Sequence, residues 1–189
     1  VPTIPIDPSL ARPSSPYGPR GAEMHAGIDL AAPEGTPVYA WQSGPVRLVS
    51  LPGEMDRYGL AIVLGPHPDG RFSLYAHLSA CFVRAGELVQ EGQEIGAVGR
   101  TAGTRAEPGR VFTSSGAHLH FEILRKWPPS ARKEDREDPS EILALWPNAA
   151  LFRAPSAKAT AAGGGFLLLA AIYWYTKTKR DRGHLYRVS

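Results

Sequence analysis

One cysteine, Cys81, stands alone in 189 residues. No internal disulfide can form and no cysteine-rich zinc site exists, so the redox compartment is left open. Stretches free of proline and glycine are also scarce. With 18 Pro and 20 Gly, short strands joined by turns are favoured over long helices. A basic body is missing as well. The formal net charge is +3, but seven Lys/Arg and only one acid, Asp181, fall between Arg153 and the end, so residues 1–152 hold 14 basic and 17 acidic side chains. That balance excludes a basic nucleic-acid-binding body and confines the basicity to the tail. Long uncharged runs are absent except at 159–176, an 18-residue stretch near the lower limit for crossing a bilayer.

The residues that are present, 43% of them hydrophobic, suffice for one packed domain with appendages. Residues 1–20 carry six prolines and read as an extended arm. The chain opens on Val1 with no secretory signal in view, which leaves the start of the mature chain undefined. A body spanning 21–150 follows, all-β over 22–125, with strands expected at 36–41, 45–51, 60–64, 72–78, 94–98 and 118–124. Residues 65–70, rich in Gly and Pro, are a hairpin loop between two of them. The glycine-punctuated run 83–96 is also like that of lipoyl and biotin carriers. No lysine sits in a suitable hairpin there, which disfavours a carrier role. Residues 126–138 read as a solvated charged loop. Asp138 then suits an N-cap and Pro139 a first helical position for a short helix to Leu145.

Residues 151–165 read as a linker, 166–176 as the core of a membrane-spanning helix and 177–189 as a basic tail. Tyr173, Trp174 and Tyr175 close the apolar run where an aromatic belt would lie. If the segment spans, the positive-inside rule puts the basic tail in the cytoplasm and the β domain on the periplasmic or extracellular side. The alternative is a helix buried against the body or a partner.

Histidine carries most of the chemical signal. His118 and His120 are two apart in an apolar run, so on a strand both project from one face while Leu119 and Phe121 face a core. Two adjacent imidazoles suit a metal site, or one ligand beside one acid/base group; the plainer reading is two partly exposed strand histidines. His25 and Asp29, four apart around Gly27, also share a face if extended, and Gly27 leaves room for a metal or another chain. A simple hydrogen-bonded pair would look the same. Together with one histidine of the 118/120 pair they make three N/O ligands, the number at which zinc keeps a fourth position open. His67 and His184 are expected to be solvated and without a role.

His25-x-x-x-Asp29, Tyr75-Ala76-His77-Leu78 and His118-Leu119-His120 occur in that order on a glycine-punctuated β domain. The chain thereby resembles the lysostaphin/LytM-type zinc metallo-endopeptidases, which cut peptide bonds in bacterial peptidoglycan. The likeness covers about residues 16–146 and includes Tyr17-Gly18 and Asp138-Pro139. It implies a mainly β, compact antiparallel sheet, here with a C-terminal hydrophobic helix. It implies Zn2+ held by His25, Asp29 and His120, with His118 as general base. His77 would bond the developing oxyanion or assist proton transfer; without the other motifs, a core histidine bonded to backbone is the better reading of it. Tyr17 is a candidate substrate contact. The expected partners are peptidoglycan peptides and, through the tail, a membrane. Residues 105–112 lengthen a loop that is usually short and Gly/Ser-rich, a departure that bears on substrate choice. The rival readings are a non-catalytic wall-binding or regulatory module with structural zinc, and a virus-particle membrane protein carrying a wall-degrading domain.

Overall fold

A computed structural model describes residues 3–51, 54–55, 57–102, 112–129, 133–145 and 186–187. Its strands are β1 (Arg12–Ser15), β2 (Gly18–Arg20), β3 (Glu23–His25), β4 (Ile28–Ala31), β5 (Pro37–Tyr39), β6 (Gly44–Ser50), β7 (Ala61–Leu64), β8 (Phe72–Ala76), β9 (Leu78–Cys81), β10 (Leu88–Val89), β11 (Glu94–Ala102), β12 (Phe112–Leu124), β13 (Arg136–Glu137) and β14 (Tyr186–Arg187). Twelve of them form one sheet, along the path β10-β6-β7-β8-β12-β11-β9-β14 with β1, β4, β5 and β13 added at its sides. Every pairing is antiparallel. The expected all-β body is therefore present as a mainly β, antiparallel architecture.

β12 is the spine. Its first part pairs with β11 and β4, and its second part with β8 and β13. Alternation splits its side chains between two faces. Leu119, Phe121 and Ile123 enter the main core with Ile28, Leu30, Ile62, Tyr75 and Val98. Burying a side chain such as Phe121, which is 0% exposed, contributes about 1.5–3 kcal/mol. His118, His120, Glu122 and Leu124 occupy the other face, and Leu124 ends it in a smaller cluster with Ala61, Val63, Leu74 and Ala76. One strand thus carries a polar row above a continuous apolar one.

The structure differs from the sequence reading in the N-terminal stretch, at His67, and at residues 133–137, which form a short 3-10 turn and β13 against β12 with Asp135 buried, not a solvated loop. The stretch expected as an arm is extended, but it lies on the domain. Ile6 is fully buried and bridges Val38, and β1 pairs with β4. The expected short helix after Asp138 is present as a 3-10 helix, Pro139–Leu145, whose first turn is capped by Ser140 N–H donating to Asp138 Oδ1 at 2.9 Å. No α-helix occurs among the described residues. His67 is buried, not solvated: Nδ1 meets the Ser43 carbonyl at 3.1 Å and Nε2 the Ser73 hydroxyl at 2.9 Å. The loop folds inward there because those two partners satisfy both ring nitrogens. The expected membrane helix, the linker, His184 and the lengthened loop at residues 105–111 lie outside the described residues. No helix among those described is long and apolar enough to cross a membrane.

Candidate metal centre

His25 closes the β2–β3 hairpin, whose turn is made at Gly21 with φ +58°. Asp29 lies in β4, so the pair is divided between two strands and not carried by one. Gly27 sits at the join. A Cβ on it would stand 2.2 Å from the Phe121 carbonyl oxygen, so only glycine lets the chain pass so close to β12. β4 and β12 then run in a register that sets His120 directly opposite Asp29 and Phe121 opposite Ile28. Cross-strand partners of this kind have neighbouring side chains on the same face. Long-range pairing, together with the hairpin, brings the three expected ligands together.

Their facing atoms are close. His120 Nδ1 lies 2.8 Å from Asp29 Oδ1, His25 Nε2 lies 3.1 Å from the same oxygen, and the two nitrogens are 3.1 Å apart. Both rings have their other nitrogen committed. His25 Nδ1 is 2.6 Å from the Pro16 carbonyl, and His120 Nε2 is 3.0 Å from Glu122 Oε1. Those two partners only accept, and the donor Arg20 Nη2, 3.0 Å from His25 Nδ1, spends its hydrogens on Asp29 and Ser15, so each ring carries a proton on its far nitrogen. Two lone pairs and a carboxylate oxygen are left aimed at one point, an arrangement that a cation or a proton must reconcile. Ligands about 2.0–2.1 Å from a tetrahedral zinc lie roughly 3.3–3.4 Å apart, so the cluster fits zinc after a small expansion.

The charges agree with that picture. Burial would raise the Asp29 carboxyl, but hydrogen bonds from His120, His25 and Arg20 outweigh it and hold the group well below the usual carboxylate range. Burial disfavours a charged His120, yet its bonds to Asp29 and Glu122 prevail and push it up to about 9 when no metal is bound. Arg20 Nη2 donates to Asp29 Oδ2 at 2.7 Å, leaving Oδ1 for the two histidines, and also meets Ser15 Oγ.

His77 and His118 stand at the edge of this cluster, with ring centroids 4.7 Å apart. His77 occupies a left-handed position, φ +62°, between β8 and β9. Its Nδ1 donates to the Thr101 carbonyl at 2.6 Å. Burial, then the nearby His118 and His120, push its pKa down to about 4. It is therefore neutral near pH 7, with Nε2 an acceptor. His118 Nδ1 donates to the Gly116 carbonyl at 2.8 Å, and its Nε2 lies 3.7 Å from Asp29 Oδ1. The Nε2 atoms of His77, unprotonated near pH 7, and of His118 thus stand beside the three converging atoms. Tyr17 packs against the main core, near the charges of Asp138, Arg136 and Arg125; the contribution of its segment to the cluster is the Pro16 carbonyl.

Arg20, Tyr58 and Glu122 are parts of the site that sequence reasoning did not single out. A signal existed for Glu122, since it continues the alternation of His118 and His120. The carbonyls of Pro16, Thr101 and Gly116 left none, because any residue supplies a carbonyl.

Comparison with known proteins gives a consistent picture. Residues 23–134 match the peptidase family M23. The DD-carboxypeptidase/endopeptidase Mpg of Neisseria meningitidis is 42% identical over 124 residues, which cover 62% of this chain and 25% of that protein. The chain thus spans about a quarter of the length of that curated relative. Among solved structures, the catalytic domain of the antimicrobial peptidase lysostaphin from Staphylococcus simulans is 29% identical with a TM-score of 0.57, covering 71% of this chain and 92% of that one. A zinc-containing peptidase from Vibrio cholerae is 28% identical with a TM-score of 0.54, covering 71% of this chain and 37% of that one.

Proposed function

The chain belongs to peptidase family M23, and from that premise we propose that it is a zinc-dependent endopeptidase hydrolysing peptide bonds in the cross-links or stem peptides of bacterial peptidoglycan. The observation that carries this reading is the convergence of His25 Nε2, Asp29 Oδ1 and His120 Nδ1 within 3.1 Å of one another, beside the imidazoles of His77 and His118. The proposed ligands are His25, Asp29 and His120. Bound there, zinc supplies Lewis-acid polarisation of the scissile carbonyl.

The protein's own groups manage the protons. His118 Nε2 accepts a proton from the attacking water as its oxygen bonds to the carbonyl carbon. As the C–N bond breaks, that proton passes to the leaving amine nitrogen. His77 is neutral, and its Nε2 is a second acceptor at the same mouth. That favours assistance in proton transfer, with donation to the developing oxyanion open to it only after it has taken up a proton. The free nitrogens of His77 and His118 favour catalysis over a purely structural metal site, which would have no use for them.

The wall side of a membrane follows as the proposed location, since that is where the substrate lies. The apolar segment 159–176 suits a single-crossing anchor, in a cell or in a virus particle. Pairing of Tyr186 and Arg187 with β9 supports the opposite arrangement, because one crossing would part them from the domain. Protease protection of a C-terminal tag on sealed vesicles separates the two.

The deciding experiment incubates the chain with purified peptidoglycan, with and without chelator, and follows new amino groups and fragment masses. Chelator-sensitive release is expected. Full zinc occupancy with no release from several chemically different walls would favour the binding or regulatory module instead.

A further inference from the structure

Glu122 is the most deeply buried carboxylate among the described residues, at 0% exposure, and the proton transfers above make no use of it. It sits next to His120 along one face of β12, with Leu124 beyond. Its Oε1 accepts from the Tyr58 hydroxyl at 2.6 Å and from His120 Nε2 at 3.0 Å, and its Oε2 accepts from Arg136 Nε at 3.3 Å. Desolvating a carboxylate is costly even when it is paired. Leu124, in the same row, is just as buried, so the fold accepts an apolar side chain on this face. A pair with Arg136 alone would not require contact with a metal ligand.

We propose that Glu122, clamped by Tyr58 and Arg136, is a positioning residue that fixes His120 with Nδ1 aimed at the metal and strengthens that nitrogen as a donor. The inference rests on the reading of His25, Asp29 and His120 as the metal site. A half-turn of the His120 ring would put carbon where each nitrogen now makes its contact. Glu122 therefore holds one rotamer and one tautomer together, the role outer carboxylates play toward ligating histidines. Tyr58 adds a second restraint, since its ring packs against His120 with centroids 5.8 Å apart. Arg136 arrives from β13, which pairs beside Leu124, so a strand at the sheet side anchors the clamp.

The test compares the 189-residue parent with Glu122→Gln, Tyr58→Phe and the double variant Glu122→Met/Arg136→Met. Zinc affinity is read by competition with a chromophoric chelator, and geometry by the visible spectrum of the Co2+ form. Glutamine keeps the volume and an acceptor but loses the charge. It is expected to fold, to bind zinc about tenfold more weakly and to shift the Co2+ bands, while the double variant approaches a 100-fold loss. Tyr58→Phe lies between parent and Glu122→Gln. A merely structural role would alter melting and leave the Co2+ spectrum of folded protein in place. A folded Glu122→Gln with parental zinc affinity and an unshifted spectrum overturns this inference alone, whether or not the double variant folds. A parent chain that binds no zinc overturns the metal assignment and this inference with it.

Discussion

At the residue scale, the site is defined by which nitrogen of each imidazole is already occupied. Pro16 and Glu122 claim the far nitrogens of His25 and His120, and the carbonyls of Thr101 and Gly116 claim Nδ1 of His77 and His118. What remains faces one small volume. His120→Ala is expected to abolish both zinc binding, by isothermal titration, and peptidoglycan cleavage; a fully active variant would sink the assignment. His118→Ala should retain zinc and lose about 10²–10⁴ in kcat, the usual worth of a general base. Metal loss in that variant would mean that the roles of His118 and His120 are exchanged. The four histidines and Asp29 were legible as types and spacings. Their hydrogen-bond partners were not, because backbone carbonyls carry no sequence signature.

At the scale of elements, the contact of the β3–β4 join with β12 decides the ligand geometry. Gly27→Ala would force a methyl group against the Phe121 carbonyl and the Glu122 side chain. Backbone cannot yield as a flexible side chain would, so a loss of about 1–3 kcal/mol is expected, as for overpacked cores. Weaker zinc binding should accompany it, since the shift moves His120 away from Asp29. Urea unfolding with and without zinc measures both.

The loop between β7 and β8 offers a separate prediction. Burial, with Arg71 adding to it, lowers the His67 pKa below its usual 6.5, against the opposing pull of the Ser43 carbonyl and Asp69. The unfolded chain then takes up the proton first as pH falls. The contribution of His67 is complete above pH 6.5 and is lost on acidification toward its lower folded value. Melting temperatures at pH 7.5 and 5.5 should therefore differ less in His67→Gln than in the parent. That loop was legible from its glycines and prolines. The inward turn of His67 was not, because Ser43 and Ser73 meet it from other parts of the chain.

At the scale of the molecule, the proposed metal would be a fold constraint as well as a reagent. His25, Asp29 and His120 come from three strands, and closing them on zinc would tie β3, β4 and β12 together. Zinc at a thousandfold over its Kd would add about 4 kcal/mol, so chelation should lower Tm by roughly 8–16 °C for a chain of this size. An unchanged melting curve would place the metal elsewhere or nowhere. Alternation and turn residues, both local properties, were enough to indicate a β domain. The tail shows where local reading stops. An apolar run with a basic flank suggests a crossing, yet Tyr186 and Arg187 pair with β9, a contact no local pattern announces.

The sequence by itself determined the period-2 patterning of β12, the glycines that permit tight passage, and the four histidines and Asp29 as the candidates for the centre. These are local properties, set by sterics and by which side chains avoid water. Only the tertiary structure decided that Asp29 stands opposite His120, that His77 enters from a left-handed turn beside them, and that Glu122 lies behind the ligand. Those placements depend on the register between strands far apart in the chain. A slip of one residue in that register would turn the same histidines toward the other face.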